Sequence, residues 1–218
     1  LFETLRFDDR RLFSPQNHIK RLQKGLKIID LKLPFSEKEL LGILNKVIHK
    51  NNLISGIIRL MITRGNLDKL LMHPIKASIY INIKPFYTIP TSPVKVIYLD
   101  ETKYPIIRFT PAIKSMNYLG NMIAKRDCNK LGGFEPIFYN NNNMITECAI
   151  RNIFYIKDNL LLTPSLDLGI LSGVMRETIL NISKKLKMEI LQTHINYNDI
   201  NNMDEAFISS TGIGLLSC

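Results

Sequence analysis

Cysteine is scarce in this 218-residue chain and tryptophan is absent. The cysteines are Cys128, Cys148 and Cys218, an odd number at wide spacing that gives neither a CxxC pair nor a disulfide framework. This scarcity excludes the small disulfide-stabilised secreted domains and favours a reducing compartment. We therefore expect a cytoplasmic protein.

Long apolar runs are lacking as well. The most apolar stretches, such as 53–61, are interrupted by polar residues well before the roughly 20 apolar residues that a membrane span needs. The opening residues LFETLRFDDRR show neither the apolar region of a secretion signal nor the acid-poor pattern of a transit peptide. The sequence predicts no membrane segment and no membrane partner.

Metal-ligand patterns and the common catalytic motifs are absent too. The histidines, His18, His49, His73 and His194, have no metal-ligand spacing, and no cysteine lies at a useful distance from any of them. The GxSxG, Walker and Rossmann patterns do not occur. We expect no metal ion and none of the chemistries that those motifs mark.

Positive charge is abundant but dispersed. The formal net charge is +10, yet only short clusters such as Lys184, Lys185 and Lys187 occur. No stripe of base-stacking aromatic residues accompanies the charge, as a nucleic-acid site would require. We expect a solvated surface with affinity for anionic small molecules, and no nucleic-acid partner.

The first half of the chain predicts two amphipathic helices and two strands. Ser14 followed by Pro15 is typical of a helix start, and Ser36 with Glu39 forms a capping box for a second helix that ends near residues 51–52. Segments 57–63 and 77–83 are rich in β-branched residues and predict strands. The inward faces of the helices are expected to carry Ile19, Leu22, Leu26 and Ile29, and Leu40, Leu44, Val47 and Ile48.

Three prolines in 85–93 predict an extended connector and therefore a domain boundary. We expect domains at 1–84 and 94–218, joined by 85–93, in an α+β or α/β fold. Residues 140–143 predict a hairpin turn. The second domain is expected to contain strands at 94–99, 136–139, 152–156, 160–162 and 206–209 and helices at about 115–131 and 173–187.

Two segments have the composition of anion-binding sites. In 171–176 a loop runs into a helix, whose free N–H groups attract anions, and Gly173 would let a ligand come close. In 209–214 three consecutive hydroxyl residues and two glycines offer hydrogen-bond donors. Ordinary loop-forming roles would also explain each segment. Together they indicate a phosphorylated ligand.

Two charged residues lie in apolar surroundings. Arg59 falls inside the predicted strand 57–63, where it either faces inward and needs an anionic partner or alternates to the solvent face. Glu147 is followed by apolar residues and is either a buried functional acid or an exposed turn residue. Local pattern leaves both alternatives open.

Six segments follow one another in a characteristic order. They are FETLR at 2–6 with HIKRL at 18–22, IR at 58–59 with TRG at 63–65, KSMNYL at 114–119 with AKR at 124–126, TE at 146–147 with NIF at 152–154 and TP at 163–164, GILSGVMR at 169–176, and DE at 204–205 leading to Thr211. In this order they resemble the class IV aminotransferase and aminodeoxychorismate lyase family across essentially the whole chain. The resemblance implies a two-domain enzyme of fold type IV, similar to D-amino-acid aminotransferase, with a small N-terminal α/β domain and a larger C-terminal pseudo-barrel domain.

The resemblance also implies pyridoxal 5'-phosphate as the cofactor. Lys114 would hold it as a Schiff base and then move the substrate proton, which needs a lysine that can be neutral. Glu147 would pair with the pyridine nitrogen. Tyr118, expected one helical turn after Lys114, would reach the phenolic oxygen. The phosphate would be held by Arg59, Gly173, the main-chain N–H groups of Val174 and Met175, Thr211 and Gly212.

The sequence departs from the family pattern around this site. Ser172 and Met175 stand where many aminotransferases of the family have proline and threonine, so one hydroxyl contact is lost. Arg151 stands where small or acidic residues are usual, and Ser217-Cys218 where Pro-Val is common. We therefore expect the residues that line the substrate side of the site to differ from those of many family members.

Two reactions are consistent with the family. GVMR at 173–176 and TEC at 146–148 resemble the lyase, which converts 4-amino-4-deoxychorismate to p-aminobenzoate and pyruvate in folate biosynthesis. The alternative is amino transfer from branched-chain L-amino acids or D-amino acids to 2-oxoglutarate. Arg6, Arg108 and Arg151 are candidate partners for substrate carboxylates, unless they are surface residues. The family also implies a homodimer.

Overall fold

The computed structural model describes residues 1–65 and 77–218 and divides them between two compact units. The first unit comprises Leu1–Thr88 and Ile113–Met116, and the second comprises Ile89–Ala112 and Asn117–Cys218. Segment 113–116, which includes Lys114, belongs to the first unit, whereas the sequence analysis placed it with 94–218. The division into folding domains at 85–93 stays a prediction.

An antiparallel sheet covered by two helices forms the first unit. Its strands have the order β2-β1-β3-β4. Alternate residues of β1 and β3 and the inner faces of both helices form one apolar core, which includes Leu5, Phe7, Leu22, Leu44 and Ile58. The elements are β1 (Phe2–Asp8), β2 (Arg11–Leu12), α1 (Pro15–Ile28), α2 (Glu37–Lys50), β3 (Gly56–Thr63) and β4 (Ser78–Pro85).

The two predicted helix starts differ in how they are capped. The capping box of α2 is confirmed, because Ser36 Oγ accepts from the Glu39 N–H at 3.3 Å and the Glu39 carboxylate accepts from the Ser36 N–H at 2.8 Å. Ser14 lies at the N-cap of α1, but its φ of 46° prevents a side-chain cap. The inward prediction for Ile29 was wrong: α1 has already ended there, and the side chain is 38% exposed.

The second unit contains two sheets. The first has the order β10-β9-β8-β11-β12 and the second the order β5-β6-β7. The parallel pairs β5–β6 and β9–β10 are each separated along the chain by a helix, the crossover that parallel pairing needs. The elements are β5 (Val96–Asp100), α3 (Leu119–Lys130), β6 (Glu135–Tyr139), β7 (Ile145–Cys148), β8 (Asn152–Lys157), β9 (Leu160–Pro164), α4 (Val174–Lys185), β10 (Ile190–Thr193), β11 (Glu205–Ser210) and β12 (Gly214–Ser217).

Apolar side chains from both sheets meet in a shared core that includes Ile137, Ile153 and Ile208. Helix α4 packs on the opposite side of β8 and β11, over the stacked rings of Phe154 and Phe207, whose centroids are 5.0 Å apart. This arrangement places the end of β7, the start of β8 and the start of α4 in one unit.

The helix predicted from residue 115 begins at Leu119, with Tyr118 as its N-cap. Ser115 and Asn117 favour local hydrogen bonds over the helical path, and the Ser115 N–H donates to the Ile113 carbonyl at 3.0 Å. The strands β2, β7, β10 and β12 were not predicted, since each has at most four residues. The turn at 140–143 is confirmed by the Asn143 N–H, which donates to the Asn140 carbonyl at 2.9 Å.

Within 1–65 and 77–218, no helix is both long and apolar enough to cross a membrane. No group of histidine, cysteine and acidic residues in these ranges could hold a metal ion, and His73 lies outside them. All three cysteines are free thiols.

Candidate active site

In the first unit, the ring of Phe2 lies against two residues that the resemblance assigns to the cofactor. Its ring, on a side chain only 3% exposed, lies 4.5 Å from Lys114 Nζ and 4.3 Å from Arg59 Cζ, both measured to the ring centroid. The Phe2 N–H also donates to the Lys114 carbonyl at 3.0 Å. The amine of Lys114 and the guanidinium of Arg59 are therefore held on one aromatic ring.

Strand alternation resolves the two alternatives for Arg59. Ile58 and Leu60 point into the core beneath the helices, so Arg59 lies on the other face of the sheet, where it is exposed, as the second alternative predicted. The strand register places Arg6 and Lys84 on this same face, and Arg6 Cζ lies 4.3 Å from the ring centroid of Phe86. The face is cationic and carries aromatic rings. We refer to Arg6, Arg59, Lys84 and Lys114, with Phe2 and Phe86, as the cationic sheet face.

A buried ionic cluster lies on the core side of β1. Glu3 accepts from Arg21 at 2.9 and 2.6 Å and lies 2.7 Å from His18 Nδ1. Burial alone would raise the pKa of Glu3, but Arg21 and His18 outweigh it and lower that pKa to about 2. Burial lowers the pKa of His18 despite its acidic neighbour. Sequence reasoning missed this cluster, although an acid at an inward position of an apolar strand was a usable signal.

Glu147 is held on both of its carboxylate oxygens in the second unit. It lies on β7 with a side chain 16% exposed, so it is not the exposed turn residue that the sequence allowed. Oε1 accepts from Arg108 Nη1, and Oε2 accepts from the Leu171 N–H at 3.1 Å. Leu171 belongs to the loop that enters α4, so the acid is joined to the start of that helix.

Arg108 has a second acidic partner. Its Nη2 and Nε donate to Glu101 Oε2 at 2.7 and 3.2 Å, and Nη2 also donates to Thr146 Oγ1 at 3.0 Å. Burial would lower the pKa of Arg108, but the attraction of Glu147 and Glu101 raises it. Sequence reasoning did not identify Glu101. The substrate role suggested for Arg108 stays a prediction.

The N-terminus of α4 has the properties of an anion site. Gly173 is its N-cap and supplies no side-chain acceptor, so the first-turn N–H groups of Val174 and Met175 keep their hydrogen-bonding capacity. A Cβ at Gly173 would overlap Oδ1 of Asn152, so a larger residue there would force this side chain to shift. The expected close approach of a ligand to Gly173 stays a prediction.

A buried hydroxyl lies on the strand beside that helix start. Ser209 is paired with Asn152 across β11 and β8, and the Asn152 side chain donates to the Leu171 carbonyl at 3.0 Å. Ser209 is 1% exposed, and no residue in the described ranges gives its Oγ a hydrogen-bond partner. Thr211 and Gly212 form the turn that follows β11. A helix N-terminus and an unsatisfied buried hydroxyl together suit a phosphate group.

Two further predicted residues have different surroundings from those expected. Tyr118 is not one helical turn after Lys114, because the helix begins only after Tyr118. Arg151 is 8% exposed, donates to the buried Glu135, and stacks 4.9 Å from the ring centroid of Phe134. The cofactor contact of Tyr118 and the substrate role of Arg151 stay predictions.

The amino-transferase class IV family matches residues 1–218. D-alanine aminotransferase from Listeria monocytogenes serotype 4b (strain F2365) is 30% identical over 98% of this chain and 75% of its own length. Aminodeoxychorismate lyase from Bacillus subtilis (strain 168) is 30% identical over 99% of this chain and 75% of its own length. The structure of branched-chain aminotransferase from the archaeon Thermoproteus uzoniensis, solved with norvaline, superposes with a TM-score of 0.91 at 24% identity, over 100% of this chain and 76% of that one.

These likenesses define the fold as that of the fold type IV pyridoxal-phosphate enzymes. The chain belongs to the class IV aminotransferase family. Members of this family use pyridoxal 5'-phosphate, and they include both lyases and aminotransferases. The expected family and fold are confirmed, and the particular reaction is a separate question.

Proposed function

We propose that this chain is a pyridoxal-phosphate-dependent 4-amino-4-deoxychorismate lyase. The observation that carries this choice is the cationic sheet face, where Arg6 and Lys84 accompany Arg59 and Lys114. Aminodeoxychorismate has two carboxylates and a ring, and this face offers several cations beside aromatic rings. The lyase relative at 30% identity supports the same choice.

The residues present fit the proposed cofactor. The helix start at Val174 and Met175, the unsatisfied Ser209 hydroxyl, Thr211 and Arg59 would hold the phosphate. When bound, the cofactor supplies a carbonyl that condenses with amines and a ring that withdraws electrons from the substrate. Glu147 would face the pyridine nitrogen with a carboxylate whose orientation is fixed by Arg108 and Leu171.

Lys114 is the residue proposed to move the proton. It takes the proton from the ring carbon that bears the substrate amine, the ether bond to the enolpyruvyl group breaks, and the methylene carbon of the departing group gains a proton to give pyruvate. The remaining ring becomes aromatic as p-aminobenzoate. The main-chain bond from the Phe2 N–H to the Lys114 carbonyl ties the Lys114 backbone to β1, and the side chain carries the amine to the substrate.

A single assay tests this proposal. Purified protein loaded with pyridoxal 5'-phosphate is given aminodeoxychorismate without any keto acid, and p-aminobenzoate and pyruvate are followed together. We expect both products in equal amounts over many turnovers, and neither from Lys114→Ala. Lys130→Ala is the matched control, because that lysine is exposed and its ion pair, with Asp127 at 3.5 Å, lies on the surface.

The D-alanine aminotransferase relative supports the second candidate, amino transfer to 2-oxoglutarate. A yellow holoenzyme that ignores aminodeoxychorismate but transfers amino groups from D- or branched-chain amino acids would establish it. A protein that never binds the cofactor would contradict both. A homodimer is part of the proposal, to be measured by sedimentation.

A further inference from the structure

Arg108 occupies the centre of a three-charge cluster in the second unit. Its three guanidinium nitrogens all donate within the chain, to Glu147, Glu101 and Thr146. Thr146 Oγ1 in turn donates to Glu101 Oε2 at 3.1 Å. A substrate carboxylate would have to displace these acceptors, so the cluster is built to hold protein groups.

We infer that Arg108, which is itself held by Glu101, is a positioning residue for Glu147 and does not bind substrate. The inference rests on the proposed function, in which Glu147 faces the pyridine nitrogen of the cofactor. A planar guanidinium sets the orientation of a carboxylate through its directed hydrogen bonds and also attracts its charge. A lysine ammonium attracts the charge but does not set the orientation.

The cluster also orders the path into α4. Glu147 Oε2 accepts from the Leu171 N–H, two residues before the N-cap Gly173. Arg108 Cβ lies 3.2 Å from the position that a Cβ on Gly169 would take, so the Arg108 segment packs directly on the start of the same loop. Loss of Arg108 should therefore disturb both Glu147 and the helix start proposed to bind the phosphate.

Glu101 has a distinct electrostatic role. Arg108 alone would cancel the charge of Glu147, whereas the hydrogen-bonded cluster of Glu101, Arg108 and Glu147 carries a net charge of −1. The buried guanidinium of Arg176 also attracts Glu147 from outside this cluster, while its hydrogen bonds go to Pro164 and Gln192. Glu101 therefore makes the surroundings of Glu147 more negative, which favours a protonated pyridine nitrogen. Glu101→Gln should weaken the preference for this protonated form and leave the Arg108–Glu147 geometry intact.

Three variants separate geometry from charge. Arg108→Lys keeps the net charge and loses the planar fork, the double variant Glu101→Gln/Arg108→Gln also keeps −1 and loses the fork, and Glu101→Gln changes the charge alone. The readouts are the dissociation constant of pyridoxal 5'-phosphate from cofactor-free protein and the pH dependence of the bound cofactor's absorbance. Lys130→Gln is the surface control.

We expect the two variants without the fork to bind the cofactor roughly tenfold or more weakly, as the loss of a charge-assisted hydrogen bond implies. Glu101→Gln should bind with little change but shift the pH at which the absorbance changes to a lower value. If Arg108→Lys does not fold, the double variant provides the same test.

Wild-type affinity and spectrum in both fork-deficient variants would overturn the inference. Glu147→Gln separates this failure from that of the proposed function. If Glu147→Gln alters the cofactor spectrum while the Arg108 variants do not, only the positioning role of Arg108 is wrong. If Glu147→Gln also leaves the spectrum unchanged, the proposed role of Glu147 is wrong.

Discussion

At the scale of single residues, Glu3 shows how burial and neighbouring charges act in opposite directions on the pKa of one carboxylate. Its carboxylate is 1% exposed, and the pKa is lowered to about 2 because Arg21 and His18 outweigh the cost of burial. The folded pKa lies below the unfolded one, so the carboxylate adds stability above its unfolded pKa. That contribution is lost as the pH falls towards about 2.

We expect Glu3→Gln to lower the free energy of unfolding by roughly 3 kcal/mol at neutral pH, since it leaves Arg21 and His18 without their anion. The difference from the wild type should shrink as the pH is lowered from about 5 to 3, because the wild type then loses the same contribution. Urea unfolding of cofactor-free protein measures both values. Glu189→Gln, an exposed acid, is the control and should change stability by less than about 0.5 kcal/mol. A difference that stays constant with pH would contradict the assignment.

Gly173 gives a second prediction at the level of one residue. A Cβ at this position would overlap Asn152 Oδ1, so Gly173→Ala should force Asn152 away from the Leu171 carbonyl and cost about 1–3 kcal/mol of unfolding free energy. Because the closest overlap is with Asn152, while Arg176 Cβ would be 3.3 Å away, Asn152→Ala should restore part of that loss. A double-mutant cycle in urea measures the coupling. Strict additivity of the two substitutions would show that the clash is not the cause.

Helix starts provide the clearest prediction at the level of elements. Ser36 caps α2 through its side chain, whereas Ser14 lies at the N-cap of α1 without a side-chain cap. We expect Ser36→Ala to cost about 1 kcal/mol of unfolding free energy and Ser14→Ala to cost much less. Equal losses would mean that the capping box does not stabilise α2.

The same two helices show what sequence can and cannot predict. The α2 boundaries follow from local chemistry, because Ser36 and Glu39 cap each other within one turn. α3 begins at Leu119, four residues later than predicted, because the main chain before it follows a different path in which the Ser115 N–H donates to the Ile113 carbonyl. Short strands such as β7 and β12 depend on partners distant in sequence.

In the candidate site, too, local sequence pattern predicted some residues and tertiary contacts determined the others. Lys114 was identified because its motif resembles a known family, whereas Glu147 and Gly173 were first noticed in the local pattern and received their roles from that resemblance. Glu101 was not identified, and the pairing of His18 with Glu3 was not predicted, because these contacts join residues that are 45 and 15 positions apart along the chain. Arg108 was noticed for its charge, but only the structure shows that its partners are Glu147 and Glu101. Which charged residues pair depends on the tertiary fold, so these ion pairs could not be predicted from the sequence.

At the scale of the whole molecule, cofactor binding should appear as stability. A ligand that binds only the folded state raises the free energy of unfolding by an amount set by its concentration relative to its dissociation constant, about 2.7 kcal/mol at one hundred times that constant. We expect pyridoxal 5'-phosphate to raise the melting temperature of the cofactor-free protein. Pyridoxal without its phosphate should raise it far less, because the α4 start and Ser209 would then have no anion to bind.

The comparison of these two ligands in wild type and Lys114→Ala tests the role of Lys114 and the role of the phosphate contacts separately. Without the Lys114 amine the covalent link is lost, yet the phosphate contacts remain, so pyridoxal 5'-phosphate should still stabilise the variant and pyridoxal should not. Lys130→Ala should behave like the wild type, since its amine is exposed and pairs with Asp127 on the surface. Equal stabilisation by the two ligands in the wild type would show that the proposed phosphate contacts contribute nothing, and it would leave Lys114 as the principal source of cofactor affinity.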